Sequence, residues 1–367
     1  IFEFSGAFIA GGNVTKTIRK GIIDPTPILG NPEILVWGML SSLLAAALWL
    51  TVASWMGWPV STTHSIIGAI VGFAMVGIGV DAVNWSKIGT IVISWVVSPM
   101  VGGTFSFLIM RSIQRFILDT DRPFRNAQRY APLYIFFVGF LISLVTLFKG
   151  LKHLEIELNI PQSFLVALAF GSIIALIGRF LIDRLRMKEA ESVHDQFTQI
   201  EKIFGVMMLF TACAMAFAHG SNDVANGIGP MAAVVSVVQS GGEMAQKSAL
   251  PLWILVVGGC GIILGLATFG YRVIQTIGTK ITELVPTRGF SAELAAAATV
   301  VLASRTGIPV STTHIAVGAV VGVGLARGIG ALDLRIIGGI FMSWVITLPV
   351  GALLSIFFFF FFRGVFL

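Results

Sequence analysis

The chain has 367 residues, of which 56% are hydrophobic and only 11% are charged. Soluble domains carry about 25% charged residues, so the low charge excludes a water-soluble enzyme. The high hydrophobic fraction excludes a disordered chain, and two cysteines are too few for a disulfide-rich secreted scaffold. What remains is an all-α polytopic membrane protein with room for roughly ten spans of about 20 residues. The net charge of +6 indicates basic cytoplasmic loops, so no nucleic-acid partner is expected.

The chain opens with an apolar run, residues 1–10, that begins at Ile1. No positively charged segment or small-residue cleavage site precedes this run, so it is not a signal peptide. The expectation from the sequence is a fragment whose natural N-terminus is missing.

Ten apolar stretches that are long enough, or nearly long enough, to cross a bilayer follow in chain order. Closely spaced glycines in several of them are typical of helices that approach one another in lipid, and they also permit broken helices. The stretches lie at about 34–56, 64–80, 88–110, 131–148, 162–182, 203–218, 250–274, 291–304, 314–326 and 336–362.

Two basic loops, near 111–129 and 179–202, give the chain an orientation. Two spans separate them, so both lie on one side of the membrane, which the positive-inside rule predicts to be the cytoplasmic side. The expected location is the plasma membrane of a bacterium. The basic residues are Arg111, Arg115, Arg122, Arg125 and Arg129 in the first loop and Arg179, Arg184, Arg186, Lys188 and Lys202 in the second. The polar second loop predicts a division into a first repeat (1–115), linking helices and loops (116–202) and a second repeat (203–367).

An internal repeat is the strongest signal in the sequence. Residues 57–73 (GWPVSTTHSIIGAIVGF) and 307–323 (GIPVSTTHIAVGAVVGV) are identical at 11 of 17 positions, at a fixed offset of 250. The pattern Ser-Trp-Val followed by Pro recurs downstream of both. Many transporters contain two such repeats and bind their substrate at the interface between them.

Each Pro-Val-Ser-Thr-Thr-His sequence predicts a helix that begins inside the membrane, because proline interrupts the preceding helix and Ser61 and Ser311 are good N-cap residues. Backbone N–H groups at a helix N-terminus attract anions. The alternative is that the hydroxyls only cap the helices. His64 and His314 are expected to shape their loops, with contact to a substrate or proton as the alternative. The anion site would consist of Ser61, Thr62, Thr63, Ser311, Thr312 and Thr313.

Residues 217–231 (FAHGSNDVANGIGPM) place Asn222, Asp223 and Asn226 between two apolar runs, which predicts a broken segment that contains glycine. An ionisable residue at membrane depth is costly and is by default a functional candidate. A carboxylate, two carboxamides and unwound backbone carbonyls are hard oxygen ligands that suit Na⁺. The alternative is a polar re-entrant loop that only caps two half-helices.

Neither the repeated loops nor the Asn-Asp segment contains Lys or Arg. A doubly charged anion beside Asp223 would be repelled in a low-dielectric site, and a bound cation would reverse this repulsion. Anion affinity should therefore depend on cation occupancy, and reciprocally, which is the basis of symport.

Three motifs together resemble the inorganic phosphate transporter family, often called PiT: the paired PVSTTH loops, GSNDVAN at 220–226 and VTKTIRKGI at 14–22. The likeness covers essentially the whole chain. It implies two inverted repeats with broken helices and re-entrant helical hairpins, and secondary-active phosphate transport coupled to Na⁺ or H⁺. Asn222, Asp223 and Asn226 would bind the cation, and Ser221 and Asn222 would join the phosphate site.

The resemblance also implies which partners to expect. These are inorganic phosphate, the coupling cation and the lipid bilayer, with a homodimer left open, and no cofactor or other metal is expected. His219, beside the Asn-Asp motif, is a further candidate for loop shaping or proton transfer.

The family carries one Asn-Asp signature in each half, and this sequence has only the second. The repeat spacing would put the first one several tens of residues before residue 1.

Three other functions remain as alternatives: a sulfate permease of the same family shape, an anion channel, and a membrane enzyme based on Ser-Thr-Thr-His. Asp223 as an acceptor favours phosphate, which carries a proton at neutral pH, over sulfate, provided that the carboxylate faces the anion rather than the cation. Paired broken helices around one site favour alternating access over a pore, and the motif lacks an orienting acid for catalysis. Glu283 and Glu293, near the turn at 287–289, are interpreted as solvated rather than gating.

Overall fold

The computed structural model describes residues 1–12, 15, 21–28, 30–149, 159–184, 193–241, 251–305 and 309–366. Within these ranges the fold is helical, with one isolated β-bridge between Ile23 and Val83. Most of the VTKTIRKGI motif, and Arg186 and Lys188 of the second basic loop, lie outside the described residues.

The helices are named here in chain order. They are α1 (Phe2–Ala10), α2 (Pro32–Trp55), α3 (Thr62–Gly77), α4 (Trp85–Ile113), α5 (Pro123–Lys149), α6 (Ile160–Asp183), α7 (Val193–Gln239), α8 (Leu252–Lys280), α9 (Pro286–Arg305), α10 (Thr312–Arg327) and α11 (Leu334–Phe366). Two π-helical turns interrupt the α-helical hydrogen bonding of α8.

Seven of the described helices are long and apolar enough to cross a membrane: α2, α4, α5, α6, α7, α8 and α11. This number is lower than the roughly ten spans expected from the sequence. The remaining apolar stretches do form helices, but α3 and α10 have only 16 residues each, and α9 is a largely buried, alanine-rich helix. Hydropathy did not separate them from true spans because protein-buried helices are also apolar.

Two helical hairpins, α2–α3 and α9–α10, enter the bundle from opposite ends. The Asn84 N–H donates to the Ile22 carbonyl at 2.9 Å, and the Asp333 N–H donates to the Ile281 carbonyl at 3.1 Å, so each hairpin begins and ends at the same level. With one crossing for each long helix, α4 leads from the base of the first hairpin to the loop near 111–129. The four helices α5 to α8 then return the chain to the side of that loop, where the second hairpin starts.

The two halves of the chain are interlocked. Helix α3 packs against α11, and α10 packs against α4, so the second helix of each hairpin rests on a long helix of the other half. Glycines allow these contacts, because a Cβ at Gly68 would overlap the backbone of Leu348 and a Cβ at Gly318 would overlap that of Pro99. Close backbone approach of this kind is how helices associate in lipid.

Helix α7 is continuous over 47 residues and contains the whole of 217–231. The prediction of a broken segment with unwound carbonyls there is therefore wrong. Gly220 serves packing rather than helix breaking, because a Cβ at this position would overlap the backbone of Glu3 in α1. Pro230 lies inside the helix, which neighbouring helices in a membrane protein can accommodate.

Candidate functional site

The two hairpin tips are built alike. The Ser61 Oγ accepts a hydrogen bond from the His64 N–H at 3.2 Å and caps α3, and the Ser311 Oγ accepts one from the His314 N–H at 3.2 Å and caps α10. Both serines are buried. The helix N-termini predicted from the sequence are thus confirmed inside the protein, with the two serine oxygens acting as caps.

Both tips meet at Asp223, which is buried in the middle of α7. The Thr312 hydroxyl donates to the Asp223 Oδ2 at 2.7 Å, and the Thr62 hydroxyl donates to the same oxygen at 3.3 Å. The Asn222 Nδ2 donates to Oδ1 at 2.8 Å, and the His219 Nε2 lies 3.0 Å from Oδ2. Four polar groups therefore compensate the carboxylate for its burial.

The second threonine of each tip bonds to the opposite tip. The Thr63 hydroxyl donates to the Val310 carbonyl at 3.1 Å, and the Thr313 hydroxyl donates to the Val60 carbonyl at 3.2 Å. The Asn226 Nδ2 donates to both threonine hydroxyls of the first tip, at 3.0 and 3.2 Å. These reciprocal bonds hold the tips together in this conformation.

Two acceptor oxygens beside Asp223 are unpaired. The Oδ1 atoms of Asn222 and Asn226 are buried and accept no hydrogen bond from the described residues. Leaving a buried acceptor unpaired costs about 1–3 kcal/mol. The two amide oxygens and the carboxylate form a set of hard oxygen donors that fits a cation such as Na⁺. In the part of the chain that the structure describes, the hydrogen bonds and ion pairs of this site involve no Lys or Arg.

His64 and His314 each join one hairpin to a long helix of the other half. The His64 Nδ1 lies 3.3 Å from the Trp344 carbonyl, and the His314 Nδ1 lies 3.2 Å from the Trp95 carbonyl. A carbonyl only accepts, so Nδ1 carries the proton in both rings. The two imidazoles are 4.4 Å apart, and each also lies against a tryptophan ring. This arrangement agrees with a loop-shaping role better than with substrate contact.

Glu3 is a site residue that the sequence analysis missed. It is buried in α1, and its carboxylate contacts the Nδ1 of His219, whose Nε2 faces Asp223. The signal was present, since Glu3 is the one charged residue of the apolar run 1–10. The contact needs the close approach of α1 to α7 at Gly6 and Gly220, which the sequence does not show.

The two glutamates near the 287–289 turn differ in their surroundings. Glu283 is exposed, as expected, and its backbone carbonyl accepts a hydrogen bond from Arg288. Glu293 is only partly exposed and accepts a 2.6 Å hydrogen bond from the Thr211 hydroxyl of α7. The interpretation of Glu293 as a solvated side chain is therefore wrong, because α9 packs against α7 at this position.

The structure thus brings together most, but not all, of the side chains predicted to form the site. The Ser221 hydroxyl donates to the Ala218 carbonyl of its own helix at 2.8 Å, so its proton is already engaged. The side chains that meet at the tips are Thr62, Thr63, Thr312, Thr313, Asn222, Asp223 and Asn226.

Comparison with known proteins gives the family. Residues 1–355 match the phosphate transporter family. The chain belongs to this family. A protein of Haemophilus influenzae named as a phosphate permease is 49% identical over all of this chain and 87% of its own length. One from Pyrococcus abyssi is 44% identical over 97% of this chain and 85% of its own. A solved structure titled the sodium-dependent phosphate transporter has a TM-score of 0.90 and 37% identity over 99% of this chain and 88% of its own.

Membership in the phosphate transporter family confirms the resemblance based on the motifs. The chain is an integral, multi-pass membrane protein and a transporter rather than an enzyme. The Haemophilus relative agrees with a bacterial plasma membrane as its location. The helical architecture and its close match to a transporter structure confirm the predicted all-α polytopic membrane fold, and the inverted relation of the two repeats stays a prediction.

Proposed function

We propose that the protein carries inorganic phosphate together with a cation, Na⁺ in preference to H⁺, by alternating access. One observation carries the proposal: the buried N-termini of α3 and α10 converge on Asp223 from opposite ends of the bundle. Helix N-termini and threonine hydroxyls suit an anion, whereas the carboxylate and the free amide oxygens suit a hard cation. The resemblance to a structure titled a sodium-dependent transporter supports Na⁺.

The contacts of Asp223 suggest how the two ligands favour each other. The hydroxyls of Thr62 and Thr312 donate to its Oδ2, so they are not free to donate to a phosphate oxygen. A cation on Asp223 would compete for this oxygen and release both hydroxyls toward the anion. The cation would also offset the repulsion between phosphate and the carboxylate. Each ligand then raises the affinity for the other, which is the condition for coupled transport.

The opposite entry of the hairpins supports alternating access. Withdrawal of the first tip would expose Asp223 toward the side opposite the basic loops, and withdrawal of the second tip would expose it toward the loops. This geometry is what two inverted repeats predict. We therefore retain the division into residues 1–115, 116–202 and 203–367, with each hairpin belonging to one repeat.

Uptake of labelled phosphate by full-length protein in proteoliposomes, with Na⁺ and pH gradients imposed separately, tests the proposal. We expect an inward Na⁺ gradient to drive accumulation above the external phosphate concentration. Accumulation driven by the pH gradient alone would assign H⁺ as the coupling ion. Purely downhill flux would identify a channel, and strong inhibition of uptake by sulfate would identify a sulfate permease.

A further inference from the structure

A polar cavity of about 490 Å³ lies between the ends of α5 and α6 that adjoin the two basic loops. It is separate from Asp223 and from the hairpin tips. Arginines contribute three of its lining side chains, and Asp183 is the lone carboxylate among them. The full lining consists of Arg125, Asn126, Gln128, Arg129, Pro132, Arg179 and Asp183.

The charge of this cavity is poorly compensated by its own side chains. The Arg179 Nε lies 3.7 Å from the Asp183 Oδ2, but these side chains are 69% and 63% exposed, and exposed pairs of this kind are weak. Among the residues that the structure describes, no carboxylate pairs with Arg125 or Arg129. The cavity therefore has two guanidinium groups that lack a carboxylate partner among the described residues and are available for an anion.

On α5 the charged end continues into an apolar stripe. Arg125, Arg129, Leu133 and Phe137 follow one another at four-residue spacing, so each neighbours the next along a row that is inclined to the helix axis. Leu133 is 52% exposed and Phe137 is 47% exposed. This row presents guanidinium groups at the membrane boundary and apolar surface about 12 Å deeper, at a rise of about 1.5 Å per residue.

Helix α6 shows the same polarity. Leu176, three residues before Arg179 and therefore its neighbour on the helix surface, is 67% exposed. The two helices pack along each other, and a Cβ at Gly171 would lie against Phe136 of α5. On both helices, exposed apolar side chains thus follow the arginines that line the cavity.

We propose that this cavity binds the headgroup of an anionic phospholipid, whose acyl chains lie along the exposed apolar faces of α5 and α6. Guanidinium groups bind phosphate through paired N–H donors, and basic pockets between membrane helices at the cytoplasmic surface suit acidic headgroups. Free phosphate shares the headgroup chemistry. It would use only the arginines, whereas a phospholipid uses both the arginines and the apolar stripes beneath them.

Native mass spectrometry of the purified protein tests this site, with phosphatidylglycerol and phosphatidylcholine of identical acyl chains as the two probes. We expect phosphatidylglycerol to be retained selectively and the R125Q/R129Q variant to bind it at least about tenfold more weakly. The control is R335Q, which removes an exposed arginine at the start of α11 and should leave binding unchanged. R179Q, on the other wall of the cavity, should also weaken binding and serves if the double variant does not fold.

Three results would overturn the assignment. Equal retention of both lipids would show no headgroup selectivity, and equal loss in R335Q would show only diffuse attraction to basic protein. Displacement of phosphatidylglycerol by millimolar inorganic phosphate, with phosphate binding lost in R125Q/R129Q, would identify a free-phosphate site instead. The measurement uses no ion gradient, so its outcome is independent of the proposed transport mechanism.

Discussion

Asp223 is the side chain on which both hairpins depend, since its Oδ2 accepts a hydrogen bond from each tip. The sequence identified it because a carboxylate among apolar residues is conspicuous. The repeated motif identified the threonines, but not that Thr63 and Thr313 would bond to backbone carbonyls of the opposite tip. Such bonds join residues about 250 positions apart, and one sequence contains no direct record of that contact.

We expect Asp223→Asn to abolish cation-coupled phosphate uptake while the protein remains folded in the membrane. The carboxamide keeps the size of the side chain but removes the charge that would bind a cation. Proteoliposome uptake at equal protein content measures the effect, with Asp121→Asn, an exposed loop change, as the matched control. Unchanged uptake in Asp223→Asn would remove this residue from the mechanism.

Thr312→Val should raise the KM for phosphate about tenfold, because a hydrogen bond to a charged group contributes about 1.5–3 kcal/mol. Thr62→Val should raise the KM by a similar factor, since both hydroxyls donate to the same Asp223 oxygen and a cation would release both. Thr268→Val is the control, because this exposed hydroxyl bonds only within α8. Equal KM values in all three variants would contradict the assignment of these hydroxyls to phosphate.

The hairpins are the elements that the sequence predicted best, because Pro, an N-cap serine and the apolar run together specify a helix start. Helix α7 was predicted worst. Its glycines look like helix breakers, yet Gly220 lies where a Cβ would overlap the backbone of Glu3 in α1. In a membrane protein the same residue type permits breaks and close packing, and only the position of the neighbour separates the two uses.

Gly318→Val tests the packing of α10 on α4. A side chain at this position would overlap the Pro99 backbone, and overpacking costs roughly 1–3 kcal/mol. We expect a lower midpoint of thermal unfolding in detergent and less folded protein by size exclusion. Gly261→Val in α8, where a Cβ meets nothing within 4 Å, should leave the midpoint nearly unchanged. A similar shift in both variants would show a general intolerance of valine rather than a specific contact.

The molecule as a whole is held together across its halves as well as within them, because α3 rests on α11 and α10 rests on α4. The duplication in the sequence predicted two equivalent units. It did not predict that the second helix of each hairpin packs on a long helix of the other half. Sequence identity between repeats shows that the tips are alike. It does not show whether each tip packs on its own half or on the other one.

Division of the chain between α6 and α7 tests this interlocking. We expect residues 1–184 expressed alone to be degraded or aggregated, because α3 would lack the surface of α11. Co-expression with residues 193–367 should restore a complex that co-purifies through a tag on either fragment. A monodisperse, stable first fragment on its own would show that the first half folds independently.

The shared oxygen of Asp223 also bears on leakage. If the two tips moved independently, both could be withdrawn at once, and ions would pass without work being done. While both threonines donate to Asp223, withdrawal of both tips at once would break both hydrogen bonds, which contribute about 3–6 kcal/mol together. A state that is open on both sides would therefore be rarer by a factor of roughly a hundred or more. In the proposed symport, one atom bonded from two sides would thus limit the dissipation of the cation gradient.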